Sequence, residues 1–226
     1  MSGHLDISRT AAVELIKGGH VEVNGRVILK PAAPFAEGNT ISVNGGFRSF
    51  VSRGGDKLEA ALLAFNIDVS GLRCLDVGAS TGGFTDCLLK RGATLVYAVD
   101  NGVGQLAETL RADPRVTSME EVDIREIGNH LQVDFAVVDV SFISLTKVLE
   151  YVAALANEMI CLIKPQYEGA KVNKRGIVKD PKARQKTVDA VNDFACGLGL
   201  KCFGTLPYPQ KDKNEEFLVH YKKEGF

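Results

Sequence analysis

No apolar stretch in these 226 residues approaches the ~20 needed to cross a bilayer. The opening MSGHLDISRT has no charged segment leading into an apolar one. A secretory signal is therefore not expected, and a cytoplasmic setting is. The five cysteines (74, 87, 161, 196 and 202) are odd in number, and no two stand at C-x-x-C spacing. That argues against a disulfide framework and against a zinc site. The four histidines are scattered, with no H-x-x-x-H pair, so no metal site is expected. There is no internal repeat or low-complexity segment, and net charge is nearly missing as well: 27 basic residues face 28 acidic ones. A uniformly basic nucleic-acid binder is thus excluded.

The charge is absent only in the sum. Residues 100–139 carry nine acids and three bases, whereas residues 164–186 carry eight bases and two acids. An acidic and a basic segment cancel each other. The basic one, running through KVNKRGIVKDPKARQK, suits phosphates and predicts a one-sided, salt-sensitive footprint. Its Lys171, Lys174, Arg175 and Lys179 are candidate phosphate contacts.

Hydrophobic residues make up 45% of the chain, enough for a buried core. Residues 1–52 form a small module. Ser8 or Thr10 can cap a short helix over AAVELIKGGH, and Gly18-Gly19 stops it. Val21–Leu29 reads as two strands around an Asn24-Gly25 turn. GNTISVNGGFRSFVSRGG supplies a further strand and a glycine-rich exit. Residues 53–226 alternate between helix and strand. Leu58, Ala61, Leu62 and Phe65 have the i, i+3, i+4, i+7 spacing of a helix. RCLDVGAS, TLVYAVD, DFAVVDVSF and EMICLIKP read as strands, with helices over GGFTDCLLKRG, GQLAETLRAD, SLTKVLEYVAALA and PKARQKTVDAVNDFACGLG. LKCFGTLPY and EEFLVHYKK close as strands. The expected class is α/β: a Rossmann-like, doubly wound, mostly parallel sheet beside a small N-terminal α+β module.

A glycine-rich turn leads from the first large strand into a helix: Asp76, Gly78, Ala79, Ser80, Gly82, Gly83 and Phe84. Glycines there let backbone approach a ligand, and the helix N-terminus offers free N–H groups. The spacing is D-x-G-x-x-x-G, not the dinucleotide G-x-G-x-x-G, which argues against a nicotinamide dehydrogenase. Asp100 ends the second strand about 20 residues on, where a carboxylate can bind ribose hydroxyls. This acid–glycine–acid order is the pattern for S-adenosylmethionine. Asp123, in EEVDIRE, is a candidate acceptor for the adenine amino group, or else a surface charge.

Asp139 and Lys164 end two later strands, on the edge where such sheets bind ligands. Lys57 opens a helix and Glu216 begins the last strand. Two lysines and two carboxylates can converge above the sheet. A lysine beside a second cation, in a partly desolvated site, can lose its proton and act as a base toward a hydroxyl.

VSRGGDKLEAAL, CLDVGASTGGFTDCLLKRGA, VYAVDNGVGQL, VDVSFISL, LIKPQYE, GIVKDP and NEEFLV together resemble the TlyA-type haemolysin A family. That family consists of ribosomal-RNA 2′-O-methyltransferases with an FtsJ-like catalytic domain. The resemblance implies a methyltransferase fold, S-adenosylmethionine as cofactor, ribosomal RNA or ribosomal subunits as partner, and a catalytic set Lys57, Asp139, Lys164 and Glu216. Glu215 competes with Glu216 for the last place, and Lys213 stands where the family has glycine. The N-terminal module resembles the RNA-binding domain of small-subunit ribosomal protein four, with Arg9, Lys17, Arg26 and Lys30 as candidate RNA contacts. That domain opens with a further helix before the Ser-Arg pair. Only seven residues precede Ser8, so a partial module is expected, with Leu5-Asp6 as a possible remnant. Two alternatives remain: an RNA-binding protein with an inactive methyltransferase-like domain, and a haemolysin-type activity. The latter has no span or long basic amphipathic helix to support it.

Overall fold

The computed structural model describes residues 9–33, 36, 38–43, 49–210 and 213–225. Its N-terminal part contains helix α1 (Arg9–Lys17) and strands β1 (Val21–Val23), β2 (Arg26–Val27) and β3 (Ile41–Val43). The three strands form an antiparallel sheet in the order β2-β1-β3. Asn24 and Gly25 both take positive φ, as a two-residue hairpin turn requires. Thr10 lies inside the first turn of α1 and so is not its cap. Ser8 and Leu5-Asp6 lie outside the described residues.

From residue 53 the chain lays down α2 (Arg53–Phe65), β4 (Arg73–Val77), α3 (Gly83–Lys90), β5 (Leu95–Asp100), α4 (Glu108–Arg111) and β6 (Val116–Glu120). Next come β7 (Phe135–Val138), α5 (Thr146–Leu155), β8 (Glu158–Ile163), α6 (Pro181–Gly197), β9 (Leu200–Tyr208) and β10 (Glu216–Lys223). The seven strands pair in the order β6-β5-β4-β7-β8-β10-β9. The first five run parallel; β10 is antiparallel to both β8 and β9. The chain winds outward first on one side of β4 and then on the other. The crevice beyond the ends of β4 and β7 is therefore the switch point where such sheets bind ligands.

Apolar residues on both faces explain why the inner strands are continuous hydrophobic runs. One face packs α2, α3 and α4 against Cys74, Val96, Phe135, Val137 and Leu162. The other packs α5 and α6 against Leu75, Ala136, Val138, Cys161 and Val219. Helix α2 buries Leu58, Ala61 and Leu62, as its spacing requires. Ser52 caps it by accepting a hydrogen bond from the Gly54 N–H (3.3 Å), and Asn66 ends it in the left-handed region.

Two elements depart from expectation. The helix anticipated over 104–113 shrinks to the single turn of α4. Glu120 accepts hydrogen bonds from the Gln105 and Leu106 N–H groups, and Gly104 takes φ +62; both hold the start of that segment out of helix. A strand carrying Asp123 in EEVDIRE is expected, but β6 lies earlier, at 116–120, where half-exposed VTSME has little apolar alternation. The strand ends before Asp123, which caps the short 3-10 turn Ile124–Glu126 instead.

Glycine 83 is a packing position as much as a loop position. A Cβ there would meet Ser52 Oγ at 2.1 Å and the Gly55 backbone nitrogen at 2.9 Å, between α3 and α2. Overpacking of this kind costs about 1–3 kcal/mol. Gly83→Ala is expected to lower stability by that amount in urea unfolding. Gly197→Ala, where a Cβ meets nothing within 4 Å, is expected to be neutral or slightly stabilising.

Candidate active site

Two adjoining cavities open above the carboxyl ends of β4, β5 and β7, sharing Gly78, Ser80, Asp139 and Ser141 as walls. The smaller, about 390 Å³, also has Asp100, Asn101, Gln105, Val122 and Asp123 on its wall. The larger, about 530 Å³, has Lys57, Phe84, Lys164, Arg175 and Glu216.

The glycine turn separates them. Gly78 takes φ +84, and a Cβ there would lie 2.6 Å from the Asp139 carbonyl oxygen. Only glycine lets β4 and the end of β7 approach so closely. Gly82 takes φ +92, and a Cβ there would strike Leu106 and Leu110. Gly82 therefore serves packing and does not line either cavity. Asp76 is not on a wall either: it is fully buried behind the turn. Its Oδ2 accepts a hydrogen bond from Thr85 Oγ1 at 2.6 Å, anchoring α3 to β4, while Oδ1 has no partner. Burial pushes its carboxyl up to about 7, with the charges of Asp139 and Asp100 adding to the shift and the Thr85 bond opposing it.

Asp100 holds the smaller cavity together. It accepts hydrogen bonds from the Ser80 N–H (2.8 Å) and the Gly102 N–H (2.7 Å), one on each oxygen. Each carboxylate oxygen keeps a lone pair for a further donor, the arrangement a ribose diol needs. Asp123 is less available than the sequence suggested. Its carboxylate binds Arg125 Nε (2.9 Å) and Nη2 (2.6 Å), and that guanidinium holds it down to about 2.

The four residues matched to the catalytic set come together in the larger cavity as two pairs. Lys57 Nζ meets Glu216 Oε2 at 2.5 Å. Lys164 Nζ pairs with Asp139 and donates to Ser141 Oγ at 2.7 Å. Lys164 and Glu216 are only 7% exposed. Glu215 instead pairs with Arg184 at 2.9 Å and does not line the cavity. Successive residues of a strand face opposite ways, which separates the two glutamates. Lysine 164 follows β8, Asp139 follows β7 and Glu216 starts the antiparallel β10; all three arrive at one edge because β10 runs the other way.

Several participants carried no sequence signal of their own. Glu168 accepts hydrogen bonds from Ser144 Oγ (2.5 Å) and the Leu145 N–H (2.7 Å), joining the turn after Lys164 to the loop after Asp139. The Phe142 ring, 89% exposed, leans on Tyr167 with centroids 5.3 Å apart. Ser144, not Asp139, accepts the Thr146 N–H at the start of α5. The carboxylate of Asp139 is thereby left for Lys164. In the N-terminal part Arg9, Lys17, Arg26 and Lys30 are exposed, as are Lys171, Lys174, Arg175 and Lys179. Among the described residues no cluster of side chains suits a metal ion, and no helix is long and apolar enough to cross a membrane.

The model of FtsJ-like methyltransferases matches residues 50–223. The chain belongs to the FtsJ-like methyltransferase family. An S4 domain matches residues 4–41. The 16S/23S rRNA (cytidine-2'-O)-methyltransferase TlyA of Mycobacterium tuberculosis is 43% identical over 223 residues, covering 94% of this chain and 83% of that one. Hemolysin A of Brachyspira hyodysenteriae is 39% identical, covering 95% and 93%. A solved structure from Streptococcus thermophilus that carries the name hemolysin superposes with a TM-score of 0.77 at 37% identity, covering 96% and 84%. The doubly wound fold expected from strand–helix alternation is thus the methyltransferase fold of a known family. The resemblance stated from the motifs names the same relatives.

The glycine turn, the bridged Asp100 and the two joined cavities fit a methyltransferase cofactor with an adenosine end and a charged amino-acid end. The orphaned Asp76 Oδ1 lies behind that turn. Asp76, with its raised folded pKa, favours the protonated folded state. Its contribution to stability is full below the unfolded pKa near 4 and is lost as pH rises through about 7. Asp76→Asn is expected to flatten that loss. Thermal midpoints of the two proteins should diverge by several degrees between pH 5 and pH 8, to the variant's advantage. Parallel curves would contradict the buried-acid assignment.

Proposed function

We propose that this chain transfers a methyl group from S-adenosylmethionine to a ribose 2′-hydroxyl of ribosomal RNA. The nucleotide named for the tuberculosis relative is a cytidine. The observation that carries the reading is the pair of lysine–carboxylate contacts, Lys57–Glu216 and Lys164–Asp139, in a cavity joined to the Asp100 crevice.

The cofactor supplies a methyl carbon on a sulfonium, open to in-line attack. When that cofactor is bound, Gly78, Ala79, Ser80, Gly83 and Phe84 would lie against its amino-acid end, Asp100 would hold the ribose hydroxyls, and Asp123 with Val122 and Ile124 would border the base. Asp76 and Gly82 act from behind, by holding β4, α3 and α4 in place. The acceptor hydroxyl must lose a proton as it attacks. Lysine 164, whose ammonium group Asp139 and Ser141 hold at the end of β7, takes that proton once it has given one of its own to solvent. Lysine 57, held by Glu216, is the second cation of the pair. With the cofactor bound, the 2′-oxygen would take the methyl group it supplies, the sulfonium would leave as a neutral thioether, and the proton would end on Lys164. Charge is consumed, so positioning governs the rate more than an oxyanion site does. The S4 domain, through Arg9, Lys17, Arg26 and Lys30, and the basic segment 171–179 grip the RNA phosphates. Such a reaction belongs in the compartment that holds ribosomes, the cytoplasm of a bacterium.

The test is transfer of labelled methyl to purified ribosomal subunits, paired with calorimetric binding of S-adenosylmethionine. Wild type should do both. Lys164→Ala should bind cofactor within about twofold and lose 10²–10⁴ in rate. Asp100→Ala should weaken cofactor binding about 10–100-fold, as the loss of a charged hydrogen-bond acceptor implies. RNA binding without cofactor binding would instead favour an inactive RNA-binding protein. Full activity of Lys164→Ala would remove the lysine from its role.

A further inference from the structure

The basic segment after Lys164 is built as a closed turn. Asn173 Oδ1 accepts hydrogen bonds from the Arg175 N–H (2.8 Å) and the Ile177 N–H (3.0 Å). The Asn173 and Gly176 N–H groups donate to the Ile177 and Asn173 carbonyls, both at 2.9 Å. Gly176, at φ +72, lets the turn close. The turn is tied to a distant part of the chain by one side chain. Asn214 Oδ1 accepts the Val178 N–H at 2.8 Å, and its Nδ2 donates to the Gly176 carbonyl at 2.8 Å. Arg184, ion-paired with Glu215, donates to the Val178 carbonyl from the next helix. Asn214 stands two residues before Glu216, so the amide that holds the turn is part of the strand approach that delivers a matched catalytic residue.

The turn thereby brings Arg175 and Ile177 onto the wall of the larger cavity, where Lys213 also lies. The charges there are unequal. Lys57 and Lys164 each have a carboxylate partner, whereas among the described residues neither Arg175 nor Lys213 has one. An exposed cation with no carboxylate partner among the described residues can meet a phosphate, and a fixed backbone reduces the ordering cost of doing so. A target ribose over Lys164 carries a phosphate on each side.

We propose that Arg175 and Lys213 clamp the phosphates flanking the target ribose, and that Asn214 is the positioning residue that sets Arg175 for the task. This rests on the reading of the site as an RNA methyltransferase. The experiment uses the full chain, labelled S-adenosylmethionine and purified ribosomal subunits. It compares wild type with Arg175→Ala, Lys213→Ala, Asn214→Ala and the Arg175→Ala/Asn214→Ala double variant. Steady-state kinetics, co-sedimentation with subunits across a salt series, and cofactor calorimetry are read for each. Arg175→Ala and Asn214→Ala should each raise KM for subunits about tenfold, with kcat and cofactor Kd within about twofold. The double variant should be no worse than Arg175→Ala alone. Arg175→Ala and Lys213→Ala should each lower the log–log salt slope by about one.

The proposal falls if Asn214→Ala leaves KM unchanged, lowers kcat at constant KM, or multiplies with Arg175→Ala. Loss of cofactor binding in Asn214→Ala would also overturn it, since the amide would then be holding the domain together. Wild type that binds subunits without methylating them overturns the reaction but not the clamp, which the co-sedimentation constants and salt slopes then decide. Wild type that does neither overturns both.

Discussion

Two lysine ammonium groups sit against two carboxylates in a largely buried cavity, and the rest of the catalytic domain is arranged around that constraint. Removing charges from water is costly, and an ion pair of this kind is often no better for stability than apolar residues of the same size. Its presence at Lys57–Glu216 and Lys164–Asp139 therefore points to chemistry. Each pair joins chain segments far apart in sequence, 159 residues in one case. Bringing both pairs to one place needs the ends of β7 and β8, the start of β10 and the first turn of α2 at a single sheet edge. The reversed β10 is what makes that possible, because a parallel strand would begin at the opposite edge.

Close backbone approach serves the same constraint. Gly78 lets the turn after β4 touch the Asp139 backbone, and Gly83 lets α3 press against the start of α2 that carries Lys57. Glu168 and the Phe142–Tyr167 contact then join the loops on either side of Lys164. The smaller and the larger cavity are two halves of one opening, divided by Gly78, Ser80, Asp139 and Ser141.

Much of this was legible in the residues. The apolar runs at Arg73–Val77, Phe135–Val138 and Glu158–Ile163 announce buried parallel strands, and a polar residue at the end of such a run marks the ligand edge. Edge elements were harder to read. β6 has too little alternation, and α4 is cut short by Glu120, whose hold on the Gln105 and Leu106 N–H groups has no local pattern. Asp76 and Asp123 illustrate the limit for single residues. Sequence marks the first as the acid before a glycine loop and the second as a candidate adenine acceptor, but Thr85 and burial claim the first and Arg125 the second. Asn214 was visible only as part of a motif; that it latches a turn 36 residues earlier is a property of the folded chain.

The chemical position of the transferred methyl group tests the central claim most directly. Subunit RNA labelled by the wild-type protein would be hydrolysed in alkali, which cleaves at every ribose with a free 2′-hydroxyl. The account predicts label in an alkali-resistant dinucleotide, since a methylated 2′-oxygen cannot assist cleavage of the next bond. Label released in mononucleotides, with the methyl group on a base, would contradict it.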